Sequence, residues 1–111
     1  MRALRYQTFT DPVDLHVEDV PEPAPAAGEV LVRIHAASVN PVDWKIATGG
    51  FRMLVRGGLP RTMGSDFAGE VISTSAESTR LAPGDRVFGF VDPFTRTGGT
   101  FAEFATVPSK F

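Results

Sequence analysis

Imidazole and thiolate are the side chains most often recruited for acid–base work and metal binding, and this 111-residue chain offers His16, His35 and no cysteine. Two imidazoles are too few for a structural zinc site, although carboxylates could in principle complete one. The absence of Cys also excludes a disulfide framework, an iron–sulfur cluster and a cysteine nucleophile. Both histidines fall inside strand patterns and are read as strand residues with satisfied rings. No Ser occupies a nucleophile elbow, so a hydrolase triad is not expected. The glycine pairs Gly49-Gly50, Gly57-Gly58 and Gly98-Gly99 match neither G-x-G-x-x-G nor the P-loop pattern, and none bridges a strand and a full-length helix.

The elements around these residues are mostly strands. Eleven Gly and nine Pro punctuate short β-branched and apolar segments, the pattern of a β-rich domain with many turns. Ala3 to Phe9 and Leu15 to Val20 are expected strands that pair as a hairpin through Thr10-Asp11-Pro12. The Pro-rich stretch from Pro21 to Gly28 is an extended connection, because each Pro lacks a ladder donor. Val30, Val32, Ile34 and Ala36 then alternate with Leu31, Arg33, His35 and Ala37, which marks a strand with one apolar face. Asn40 is placed as the N-cap of a helix of roughly two turns, with Pro41 at its first position and Asp43 in its first turn. Val39 and Trp44 fall at the positions of a hydrophobic staple, which assigns Trp44 to the core, and Gly49-Gly50 supplies the stop. Phe51 to Met63 reads as a mobile loop. Phe67 to Ser75, Arg86 to Val91 and Thr100 to Val107 are further strands, the second entered through the tight turn Pro83-Gly84-Asp85. About six strands and one short helix suit a small antiparallel barrel, since closure removes unpaired apolar edges.

Composition limits the partners. With 42% hydrophobic and 22% charged residues the chain is globular rather than disordered. Its net charge of −2 provides no basic field for nucleic acid or an anionic membrane. The longest apolar runs fall far short of the ~20 residues that a bilayer-spanning helix needs. The start Met1-Arg2-Ala3-Leu4-Arg5-Tyr6 lacks the apolar core of a secretory signal, and a cytoplasmic location is expected.

Four ordered motifs then line up: Val30-Leu31-Val32-Arg33 through Ala37-Ser38-Val39-Asn40-Pro41-Val42-Asp43-Trp44-Lys45, Gly64-Ser65-Asp66-Phe67-Ala68-Gly69-Glu70-Val71, Pro83-Gly84-Asp85-Arg86-Val87-Phe88-Gly89, and Gly99-Thr100-Phe101-Ala102-Glu103-Phe104. From about Met1 to Pro108 the chain resembles the N-terminal GroES-like domain of the zinc-independent quinone oxidoreductases, within the medium-chain dehydrogenase/reductase superfamily. The resemblance implies a mainly β fold, a GroES-like, partly open antiparallel β-barrel with one or two short helices over residues 1–111. It also implies that the Rossmann cofactor domain, which carries the glycine-rich loop in that family, lies beyond Phe111. On that expectation the chain is the substrate-side half of a longer, homo-oligomeric enzyme, inactive alone, with its own C-terminal Rossmann domain as partner.

The family's chemistry implies hydride transfer from NADPH to a quinone or an α,β-unsaturated carbonyl, with a proton supplied afterwards to the enolate. In zinc-dependent relatives a Cys stands where this chain has Asn40, and a His-Glu pair where it has Ser65-Asp66. Neutral Asn and Ser side chains replace thiolate and imidazole poorly, so no zinc is expected. Without a Lewis acid, the charge that develops on oxygen must be met by hydrogen-bond donors or by the cofactor's own hydroxyls. That singles out Lys45 and Asn40, with Lys45 the catalytic candidate, to stabilise the oxyanion, relay the proton or contact the nicotinamide ribose. Its bland alternative is a solvated helix lysine, and many relatives carry Tyr there. Asn40 is expected beside the nicotinamide, in addition to its capping role. Trp44, Ser65 and Asp66 are the candidate substrate-pocket residues; Asp66 is expected to pair with a basic residue, in this chain or in the missing domain, and Ser65 is read first as a plain turn residue, with a hydrogen bond at the former metal position as its alternative. The competing expectation is a stand-alone GroES-like binding or assembly module that kept the barrel and lost the chemistry.

Overall fold

The computed structural model describes residues 1–75, 80–96 and 98–109. Among them lie seven strands and one helix, in the order β1 (Arg2–Tyr6), β2 (His16–Asp19), β3 (Glu29–Ala36), α1 (Pro41–Ala47), β4 (Arg61–Thr62), β5 (Asp66–Thr74), β6 (Arg86–Phe90) and β7 (Phe104–Pro108). The strands form two antiparallel sheets, β2-β1-β4 and β6-β5-β3-β7, which do not close into one continuous barrel. The mainly β, GroES-like expectation is met, with a single short helix.

β3 sits between β5 and β7 because its alternation supplies an apolar row to both. Val32 lies opposite Val71 on one side and Ala105 on the other. Val30, Val32, Phe67, Val71, Val91 and Val107 form the main core, with Ile34, Leu81 and Val87 packed on it. Burial of each such side chain contributes about 1.5–3 kcal/mol. A second cluster of Tyr6, Ala47 and Met63, flanked by Phe9, Val13, Leu15 and Phe101, packs the helix against the smaller sheet.

The expected hairpin is present, with Leu4 opposite Val17, and its strands are shorter than the apolar pattern suggests. The last expected strand is divided. Phe101 and Glu103 exchange backbone hydrogen bonds with Leu4, Met63 and Arg2 on the small-sheet side, and from the Glu103 carbonyl, which accepts the Ile34 N–H, the chain runs along β3. This crossing stitches the two sheets together, which explains why period-2 alternation continues across two different neighbours.

Residues 51–63 depart most from expectation. They contain β4, and the segment is tied down rather than free. Arg61 is 2% exposed and donates from Nη1 to the carbonyls of Arg56 (2.8 Å) and Gly58 (3.4 Å), and from Nη2 to those of Pro93 (2.6 Å) and Arg96 (2.7 Å). Phe51 packs edge-on against Phe94 at 5.6 Å. No helix among the described residues is long and apolar enough to cross a membrane.

Candidate functional site

The bend between β3 and α1 and the first residues of β5 bring together most of the residues singled out by motif. Pro41 opens the helix at its first position, and Gly49 ends it with φ near +93°, a conformation that favours glycine. Asn40 stands at the N-cap, but the short bonds there run through other atoms. The Asn40 N–H donates to Asp43 Oδ2 at 2.8 Å, and the Asp43 N–H donates to the Asn40 backbone carbonyl at 2.9 Å. The Asn40 side chain instead turns its Nδ2 toward Asp66 Oδ2, 2.9 Å away.

Asp66 opens β5 and is half-buried. It does not pair with a cation among the described residues. Its Oδ1 accepts the Ser38 N–H at 2.8 Å, and its Oδ2 accepts Ser38 Oγ at 2.6 Å as well as Asn40. Hydrogen bonds from Ser38 and Asn40 hold the Asp66 carboxyl below its ordinary value, outweighing its partial burial. Within this chain, three neutral donors surround the carboxylate.

Ser65 lies one residue earlier on the opposite side of the backbone and is fully buried. Its Oγ donates to Asp43 Oδ1 at 2.9 Å, so the side chain faces the helix rather than an open surface. The preceding Gly64, with φ near +101°, cannot take a side chain: a Cβ there would stand 2.5 Å from Phe101 and from Thr100 Oγ1. That glycine lets the chain pass close enough for Ser65 to reach the helix.

Trp44 is 47% exposed and Val39 67% exposed, so the staple does not put Trp44 in the core. The tryptophan serves a neighbour instead. Lys45 is exposed and carries its Nζ over the Trp44 ring at 5.7 Å from the centroid, a cation–π arrangement that presents the ammonium on the open side of α1.

Behind the helix is a cavity of about 20 Å³ whose lining includes Tyr6, Asp43 and Arg61. It has room for a water molecule and none for a substrate. Burial raises the Tyr6 hydroxyl above its ordinary value, with Arg61 opposing the rise and Asp43 adding to it. A recess of about 480 Å³ lies over β5 and β6, lined by residues that include His35, Glu70, Arg86 and Phe88, and by neither Asn40, Lys45 nor Asp66. His35 Nε2 stands 4.0 Å from Glu70, and His16 Nε2 stands 2.9 Å from Asp14; both contacts are solvent-accessible. No group of three or more His, Cys, Asp or Glu gathers among the described residues.

Ser38 and Asp43 are the members of this network that motif reading did not place in the site. Ser38 lay within the matching motif but carried no family role. In the sequence Asp43 reads only as a favourable first-turn charge; the signal for more is an acid three residues after an N-cap Asn.

Similar proteins share this arrangement of elements. A chloroplastic quinone-oxidoreductase homolog of Spinacia oleracea is 38% identical over 107 residues, covering 95% of this chain and 32% of the relative. A zinc-type alcohol dehydrogenase-like protein of Schizosaccharomyces pombe is 41% identical over 115 residues, covering 99% and 33%. The solved quinone oxidoreductase of Coxiella burnetii superposes with a TM-score of 0.85 at 31% identity, over 97% of this chain and 34% of that one. A mycobacterial protein solved in complex with NADPH gives 0.78 at 30% identity, over 98% and 30%. The chain therefore spans about a third of the length of the relatives it matches. The family model of the alcohol dehydrogenase GroES-like domain matches residues 26–111, and this chain belongs to that family.

Proposed function

We propose that the chain is the substrate-side domain of a zinc-free, NADPH-dependent oxidoreductase acting on a quinone or an α,β-unsaturated carbonyl compound. The observation that carries the reading is how residues 40, 65 and 66 use their polar atoms. Asn40 and Asp66 bond each other, and Ser65 bonds Asp43, so the three positions are engaged by the protein's own donors and acceptors. A metal would have to break those bonds to use them. The likeness to quinone oxidoreductases and to an NADPH-bound structure supports the substrate class and the cofactor.

The residues present suit one end of such a cofactor. Asn40 offers an amide whose oxygen keeps acceptor capacity, and Lys45 offers a cation at the open surface. No glycine-rich cradle for a pyrophosphate occurs in the chain, and that task falls to a further, Rossmann-type domain. When bound, NADPH supplies the hydride. Lys45 then stabilises the negative charge developing on the substrate oxygen, and the same ammonium returns a proton to the enolate. Trp44 holds that ammonium at the surface, and Asp66 holds Asn40.

Titration of NADPH, followed by nicotinamide fluorescence, tests the reading. The 111-residue chain alone should bind no more tightly than the millimolar range, and the gene product extended by a cofactor domain should bind in the micromolar range typical of such enzymes. Tight binding by the 111 residues alone would sink it, as would an extended product that ignores both NADPH and quinones.

A further inference from the structure

An ionised carboxylate only accepts hydrogen bonds, whereas a carboxamide donates from nitrogen and accepts at oxygen. Asp66 Oδ2 faces the Asn40 side chain at 2.9 Å, so the amide has one tenable orientation. With its oxygen toward Asp66, two acceptors would confront each other. With its nitrogen there, the contact is a charge-assisted bond. Asp66 is itself pinned by both Ser38 donors, at 2.8 and 2.6 Å, and cannot swing away to follow the amide. The Asn40 backbone is held separately, through its N–H to Asp43 Oδ2 at 2.8 Å, and Asp43 is bonded in turn to Ser65, next to Asp66. The Asn40 oxygen faces the Asp43 N–H in a capping box, but that N–H makes its short bond to the Asn40 backbone carbonyl, and an amide oxygen with two lone pairs keeps capacity for a further donor.

We propose that Asp66 is a positioning residue that fixes the polarity of the Asn40 amide. Its nitrogen is turned inward, so that Asn40 presents an acceptor and the group it recognises brings a hydroxyl or amide N–H donor. In naming that group as part of a reduced nicotinamide nucleotide, whose ribose hydroxyls and carboxamide are such donors, the inference rests on the function proposed above.

Asn40 is the sole asparagine of the chain, so labelling with 15N-asparagine gives one side-chain NH2 signal pair. The parent should show two well-separated protons, one displaced by the carboxylate, in a spectrum recorded at neutral pH. In Asp66→Ala the pair should collapse toward free-amide positions while the backbone spectrum of the four-stranded sheet stays folded. Should Asp66→Ala lose the folded spectrum, Asp66→Leu, which roughly keeps the volume, removes the charge and adds no second asparagine, is read the same way. Ser38→Ala keeps the carboxylate and should keep the separated pair. A parent pair already at free-amide positions, or a pair unchanged in the Asp66 variants, overturns the proposal.

Reduced nicotinamide mononucleotide added at millimolar concentration supplies the second arm. It should shift the Asn40 pair in the parent and bind roughly fivefold more weakly to the Asp66 variant. Equal binding to parent and variant counts against the positioning role. A separated amide pair that ignores the nucleotide instead sinks the cofactor reading, so the two failures are told apart.

Discussion

The two sides of α1 use polar residues in opposite ways. On the buried side, Asp43 (4% exposed) and Arg61 (2%) line a water-sized cavity with Tyr6, and Ser65 (0%) bonds Asp43. On the open side, Asn40 and Asp66 are half-buried, while Ser38 and Lys45 face solvent. Buried polar atoms must be satisfied or they cost stability, so the inner set acts as a frame. The outer set keeps hydrogen-bonding capacity that folding does not use. The comparison predicts that changes on the inner side are read in stability, and changes on the outer side in ligand response.

The largest effect is expected at Arg61. Its guanidinium satisfies four carbonyls contributed by residues 56–58 and 93–96, and Arg61→Ala leaves them without that donor in the interior. A loss of about 3 kcal/mol or more is expected, measured by urea denaturation. Arg61→Lys should recover little, because an ammonium cannot reproduce the planar fork that reaches both segments. A melt within 1 kcal/mol of the parent would show that the two segments hold without the clamp.

Asp43→Ala should follow, at about 2 kcal/mol. It strips the Ser65 hydroxyl of its buried acceptor and the Asn40 N–H of its partner. Unlike Arg61→Ala, it should also alter the Asn40 side-chain signal, because this carboxylate belongs to the frame that reaches the open side. A variant that loses stability and leaves that signal untouched would separate the two faces more sharply than the hydrogen bonds suggest.

How far these roles were legible in the sequence depends on the range of the contacts. The alternation of Val30, Val32 and Ile34 and the Asn40-Pro41 start encode local geometry, and β3 and α1 appear where expected. The Ser65–Asp43 and Asp66–Asn40 bonds join positions 22 and 26 residues apart, and no local period encodes them. Arg61 bonds carbonyls 32 and 35 residues away, which is why its segment read as loose. The staple failed for a related reason. Its spacing was right, but the second core is filled by Tyr6, Ala47 and Met63, which leaves Trp44 at the surface beside Lys45.

Lys45→Ala separates function from fold on the outer face. The exposed ammonium–indole contact contributes about 0.5–1 kcal/mol at most, so the melting curve should barely move. Under the proposed mechanism, turnover by the extended enzyme should fall about a hundredfold, the cost of removing one donor from a developing oxyanion. A fall in kcat with the cofactor KM unchanged would assign Lys45 to the transition state, whereas a rise in that KM alone would make it a ribose contact.

The smallest effect concerns pH and belongs to Asp66. Its carboxyl is held below the ordinary value by Ser38 and Asn40, and its folded-state pKa is therefore lower than in the unfolded chain. A group depressed in this way stabilises the fold above its unfolded value, about 3.9, and loses that contribution as pH falls through the folded pKa. Ser38→Ala deletes the 2.6 Å hydroxyl donor and leaves the Ser38 N–H and Asn40 in place. The carboxyl should then protonate at a higher pH, so the Asn40 amide signal, which reports the charge beside it, should change earlier on acidification than in the parent. Because Asp66 is partly solvated, the accompanying change in stability is screened and small. An unchanged midpoint in Ser38→Ala would assign the depression to the backbone N–H and Asn40, and would move Ser38 out of the site.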